Sequence, residues 1–194
     1  MLQGNPKTFA YQIVITYLNE IFPSLDIVKV LDVSYEGKID VSSIDKIEDV
    51  IPIIPSDYPE NIKNLLKQTM INIKYHFEAI DYSMYVIPAC RALEGHIKYM
   101  LNKNDLVLEG LKFDCFEKAP SGIGYVVKDK YLYREIIDWD KIITAYNLYR
   151  DNRHGISHFG TLVGTYDDTV LMSSWDDANE LINKIIGVIR ENLC

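Results

Sequence analysis

Residues 51–79 read IPIIPSDYPENIKNLLKQTMINIKYHFEA, and the change of pattern at Pro59 decides the fold. Pro52, Pro55 and Pro59 fall within nine residues, the strongest break in the chain. Proline fixes φ and removes a backbone donor, so this spacing predicts a rigid linker or domain edge. Beyond it, Ile62, Leu65, Leu66, Met70, Ile73 and Phe77 recur at helical spacing. They predict a helix from Pro59 to about Ala79, with Asp57 as its cap and Pro59 in its first turn.

Three more helical patterns follow. Residues 81–101, DYSMYVIPACRALEGHIKYML, put Val86, Cys90, Leu93, Ile97 and Met100 on one seam, with Pro88 inside the helix. Residues 138–154 put Trp139, Ile142, Ile143, Tyr146 and Tyr149 on another. Ser174 to about Asn192 carries Ala178, Leu181, Ile182, Ile185, Ile186 and Ile189, and Ser174 with Asp177 resembles a capping box. Residues 102–132 read as loop, with a short hairpin pairing YVV and YLY. Before the break, Thr8–Phe22 reads as a helix, VKVLDVSY as a strand and SSIDKIEDV as a short helix. The expected fold is mainly α. A small mixed α/β N-terminal segment (1–54) precedes a helical bundle (55–194).

Composition bounds the function. Of 194 residues, 48% are hydrophobic and 25% charged, as in ordinary globular proteins. Net charge is −8, with a pI near 5.0, unfavourable for sequence-independent nucleic-acid binding but compatible with a local basic cleft. Cys90, Cys115 and Cys194 suggest neither a disulfide framework nor a zinc site. The N-terminus lacks signal-peptide layout, and no apolar run approaches the ~18 residues that span a bilayer. The expected setting is cytoplasmic, with no membrane partner and no cofactor.

Chemistry concentrates in residues 149–160, YRDNRHGISHFG. The apolar seam of the preceding helix runs into Arg150 and Arg153, and Gly155 predicts a helix stop. In a continuous helix Arg153 and His158 would point about 140° apart, and a break at Gly155 lifts that restriction. The plain reading is a capped helix end whose Arg and His complement the macrodipole. Upstream, Glu94 lies just off its seam, beside Arg91 and Lys98. It reads either as an i,i+4 pair with Lys98 or as a carboxylate facing a groove. Asp81 reads as a helix cap.

DYSMYVIPACRALEG followed by NRHGISHFG resembles the RnlA/LsoA family of toxins from bacterial toxin–antitoxin systems. The likeness extends to PSGIGYVV, IITAYNLY and, weakly, the final helix, and LQGNP is similar to the edge of the preceding family domain. Family members are longer at the N-terminus. The resemblance implies a HEPN-like RNase domain with the signature Arg153, His154 and His158. It implies catalytic roles for Arg153, His158, Glu94 and Asp81, Asp81 as an organiser, and RNA contacts from Arg150 and His154. It further implies a metal-independent endoribonuclease toxin, an RNA substrate, an antitoxin partner and a homodimer. The rivals are a non-catalytic HEPN-like dimerisation or antitoxin/RNA-binding module, and a metal hydrolase using Asp81, Glu94, His154 and His158. The spacing of the last set matches no metal motif.

Overall fold

The computed structural model describes residues 46–76, 78–106, 113–132, 138–157 (the last five by backbone alone) and 171–194. The expected helix Thr8–Phe22 and strand VKVLDVSY lie outside the described residues. The order is α1 (Ile47–Val50), α2 (Glu60–Lys74), α3 (Ser83–Lys103), β1 (Phe116–Lys118), β2 (Tyr125–Val127), α4 (Asp129–Leu132), α5 (Trp139–Ser157) and α6 (Trp175–Leu193). The fold is mainly α, with one two-stranded sheet.

α3 is the central element. Val86, Ala89, Cys90, Ala92, Leu93, His96, Ile97 and Leu101 are buried around most of its circumference, as expected of a helix covered on several sides. α2, α5 and α6 supply the cover. α2 turns Ile62, Leu66, Thr69 and Met70 inward. α6 buries all six of its predicted seam residues, and the Ser174 hydroxyl caps it by accepting from Asp177 N at 3.1 Å.

Hydrogen bonds at the two ends fix the helix directions. Asn72 Nδ2 donates to Tyr85 O at 3.0 Å, joining the end of α2 to the start of α3. Tyr82 N donates to Met172 O at 2.8 Å, joining the starts of α3 and α6. Asn192 Nδ2 donates to Lys141 O at 3.4 Å, joining the end of α6 to the start of α5. α3 and α6 therefore run one way, and α2 and α5 the other. The end where α3 begins, termed the head, also receives the end of α5.

Four local expectations change. α2 stops at Lys74 rather than near Ala79. Asp57 does not cap it; Pro59 occupies the cap position, and Asp57 instead accepts from Tyr99 Oη at 3.0 Å. The partner of YVV is FEK, with Phe116 opposite Val127 and Lys118 opposite Tyr125, while Tyr131 and Leu132 of YLY belong to α4. The turn explains this: Gly122 and Gly124 take φ of 76° and 73°, which returns the chain immediately after Ile123. Finally, α5 runs through Gly155 to Ser157. A glycine inside a helix costs about 1 kcal/mol but stops the helix only where it turns left-handed.

Residues 44–194 form one compact unit. Ile47 and Ile51, on the N-terminal side of the expected boundary at 54/55, are both buried in its core.

Candidate active site

At the head, Asp81 organises backbone. Its Oδ1 accepts from Ser83 N at 3.0 Å, Ser83 Oγ at 2.6 Å and Met172 N at 3.1 Å. Burial alone would raise its pKa; the hydrogen bonds outweigh that and hold the carboxyl below its ordinary value. Asp81 thus ties the first turn of α3 to the segment that enters α6.

Glu94 sits midway along α3 and is half-buried. Lys98 Nζ lies 2.7 Å from Glu94 Oε1, so the predicted i,i+4 pair is formed. The same ammonium stands 5.4 Å from the Phe113 ring centroid. Phe113 in turn touches α5 edge-on at Tyr146 and Tyr149, with centroids at 5.1 and 5.7 Å. The ammonium, drawn back beside the Glu94 carboxylate, is therefore level with Tyr146–Tyr149. The stretch of α5 from Arg150 to Arg153 is the next turn toward the head, about 6 Å further along, because each residue rises ~1.5 Å.

The two carboxylates do not meet. Eleven helical residues separate Ser83 from Glu94, a rise of about 16 Å, and Asp81 lies beyond Ser83. Metal–oxygen bonds are about 2.0–2.6 Å long, so Asp81 and Glu94 of one chain cannot share an ion. Among the described residues no group of three or more His, Cys, Asp or Glu is arranged to hold a metal.

Arg150 is anchored by the hairpin. Its Nη2 donates to Tyr125 Oη at 3.1 Å, and its guanidinium carbon lies 5.2 Å from the Tyr125 ring centroid. Burial opposes its charge, but the Tyr125 hydroxyl and neighbouring phenols shift the balance upward, so the cation is secure. Arg153 and His154 lie in α5, where only their backbone is described. His158 lies outside the described residues. Cys115 is buried and its thiol is pushed up to about 11, in keeping with a residue without chemistry.

Two histidines escaped the sequence reading. His96 is fully buried, with Nδ1 3.0 Å from Tyr58 Oη, and burial pushes its pKa down to about 4. Its place three residues after Leu93 was the available signal. His76 is exposed at the head and stacks on Trp175, with centroids 3.7 Å apart and planes 7° apart. Its partner is 99 residues away, and no local pattern announces the pair.

Known proteins bear on this arrangement. The family model described as RNase LS, bacterial toxin DBD domain matches residues 43–160. That range begins one residue before the compact unit and contains Asp81, Glu94, Arg150, Arg153, His154 and His158. The mRNA endoribonuclease LsoA of Escherichia coli O157:H7 is 31% identical over 104 residues, covering 51% of this chain and 29% of the relative. The crystal structure of Escherichia coli toxin LsoA in complex with T4 phage antitoxin Dmd aligns with a TM-score of 0.66 at 22% identity, covering 86% of this chain and 65% of that one. The chain thus spans under a third of the curated relative and under two thirds of the crystallised chain. No helix among the described residues is long and apolar enough to cross a membrane.

Proposed function

We infer, from the premise that this chain belongs to the RnlA toxin family described as RNase LS, bacterial toxin DBD domain, that it is a cytoplasmic endoribonuclease of HEPN type and the toxin of a toxin–antitoxin system. The observation that carries the reading is the link from the Glu94–Lys98 pair through Phe113 to Tyr146 and Tyr149, the turn of antiparallel α5 that leads directly into Arg150–Arg153.

RNA cleavage of this kind needs no metal. The ribose 2′ oxygen attacks its own phosphorus, the P–O5′ bond breaks, one proton leaves the 2′ hydroxyl and one reaches the 5′ oxygen. The products are a 2′,3′-cyclic phosphate and a free 5′-OH. His158 suits proton transfer because imidazole titrates near neutral pH. The planar fork of Arg153 matches two phosphate oxygens and opposes the charge that builds in the transition state. Glu94 orients one of these groups or shares the proton transfer. Asp81, far from Glu94 and bound to backbone amides, acts as an organiser of the head. Arg150 and His154 contact the RNA strand, Arg150 from a position fixed by Tyr125.

A homodimer would bring two Arg–His pairs across one cleft, concentrating cations in a chain of net charge −8. An antitoxin protein, the kind of partner bound to the structural relative, would inhibit by filling that cleft or by preventing the productive dimer.

The test is cleavage of total RNA in EDTA by wild type, Arg153→Ala and His158→Ala, with folds compared by circular dichroism. Cutting by wild type, cyclic-phosphate ends and loss in both folded variants support the reading. Equal cutting by all three removes it. No cutting by any favours a binding module instead.

A further inference from the structure

The head holds an aromatic feature that the proposed chemistry does not use. His76 lies flat on Trp175, ring centroids 3.7 Å apart and planes 7° apart. Trp175 is held edge-on by Tyr85 at 5.7 Å and leans on Tyr82 at 6.3 Å. The imidazole is fixed as well: Nδ1 lies 3.2 Å from Ile73 O, and a carbonyl only accepts, so Nδ1 carries the proton and the ring is tied to the end of α2. One face of this ring is against the indole, and His76 as a residue is exposed. The result is an oriented, supported aromatic ring on an exposed residue.

Distance decides its role. Trp175 stands beside Tyr82, at the start of α3, about 16 Å along the helix axis from the level of Glu94. That is too far for proton transfer at the same phosphate. A stacked strand advances about 3.4 Å per nucleotide, so the gap corresponds to several nucleotides. We propose that His76, supported by Trp175, is a stacking platform for an unpaired nucleobase flanking the cleaved phosphate. The proposal rests on the RNase reading for its ligand class. Every base offers a π-face, so the platform favours single-stranded RNA without selecting a sequence.

Two assays on the full chain separate this proposal from the RNase reading. The first measures KM and kcat on a single-stranded RNA oligonucleotide for wild type, His76→Ala and His76→Phe. The second measures binding of an uncleavable 2′-O-methyl oligonucleotide, intact or carrying an abasic position scanned along it. His76→Ala is expected to weaken binding and raise KM about fivefold or more, with kcat held within about twofold. His76→Phe keeps the ring and is expected to retain wild-type affinity. One abasic position should weaken wild type and leave His76→Ala unchanged. The platform is overturned if His76→Ala binds within about twofold of wild type. It is also overturned if His76→Phe is as weak as His76→Ala, or if kcat falls while binding holds. Wild type that binds the analogue but cuts nothing counts against the RNase reading alone. Wild type that binds neither oligonucleotide removes the platform.

Discussion

Asn147 of α5 grips the backbone of Tyr125 in both directions: its Oδ1 accepts from Tyr125 N at 2.7 Å and its Nδ2 donates to Tyr125 O at 3.2 Å. This side chain fastens the hairpin to the helix that carries the arginine turn, and Arg150, one turn-edge further along, takes the hydroxyl of the same tyrosine. Asn147→Ala would strand a half-buried N–H and C=O. The expected loss is about 1–2 kcal/mol, or about 2–8 °C in Tm for a chain of this size, with amide exchange accelerating first in β1 and β2. Asn147→Asp keeps the acceptor and should lose less. A Tm unchanged in Asn147→Ala would show that the hairpin is held elsewhere. Gly124 tests the same contact: a Cβ there would meet Asn147 Oδ1 at 3.2 Å on a backbone of φ 73°. Gly124→Ala is therefore expected to cost more in wild type than in the Asn147→Ala background.

His96 gives the protein an acid-sensitive core. The ring is fully buried, Nδ1 meets Tyr58 Oη at 3.0 Å, and Nε2 finds no hydrogen-bond partner among the described residues. Burial lowers its pKa from 6.5 to about 4 in the folded chain. The unfolded chain therefore binds this proton more readily. The contribution is fully present above about pH 6.5, and it is lost as pH falls from there toward 4. The window corresponds to about 3 kcal/mol. Chemical denaturation at pH 7, 5.5 and 4.5 should show the drop. The difference in stability between wild type and His96→Gln should shrink across that range, since glutamine does not titrate there. A difference constant with pH would mean that His96 does not titrate in this window.

How much of this was legible depended on whether the cause was local. The seams of α3, α5 and α6 are periodic, and burial follows them: Val86, Leu93 and Ile97, Trp139 and Ile142, Ile182 and Ile189 all lie in the core. The Ser174 cap needs only three residues of sequence, and it formed. The Glu94–Lys98 pair is likewise one turn of helix. Some misreadings came from partners far along the chain, others from backbone geometry that a residue type permits without dictating. Asp57 has the composition of a cap, but Tyr99, 42 residues on, takes its carboxylate. YLY has strand propensity, but the two left-handed glycines place FEK opposite YVV first. Gly155 looked like a stop because glycine tolerates the left-handed turn, yet tolerance is not compulsion. For the site, spacing along the chain put Asp81 and Glu94 on one helix. It did not reveal that Asp81 faces the backbone of Met172, 91 residues away.

The separation of those two carboxylates makes a last prediction that splits their roles. Glu94 is half-buried and pairs with Lys98, which is 31% exposed at the side chain; such a helical pair is worth only about 0.3–0.5 kcal/mol. Glu94→Gln keeps the shape and a hydrogen-bonding group, so it should lower Tm less than Asp81→Ala does, while RNA cutting falls by about a hundredfold or more, the scale of losing a group engaged in proton transfer. Asp81 should behave the other way. Asp81→Ala removes the acceptor for Ser83 N, Ser83 Oγ and Met172 N at once, so stability and cutting should decline together. Asp81→Asn retains a carbonyl oxygen for the backbone donors and should recover part of both. Its carboxyl pKa is lowered in the fold, so the stability that Asp81 contributes is present above the ordinary carboxylate value and is lost as pH falls through the lowered one. Thermal melts and initial cleavage rates for the three variants read both quantities. If Asp81→Asn cuts no RNA while melting like wild type, the charge of Asp81 acts in the reaction itself. The organiser role argued from its three hydrogen bonds would then be wrong.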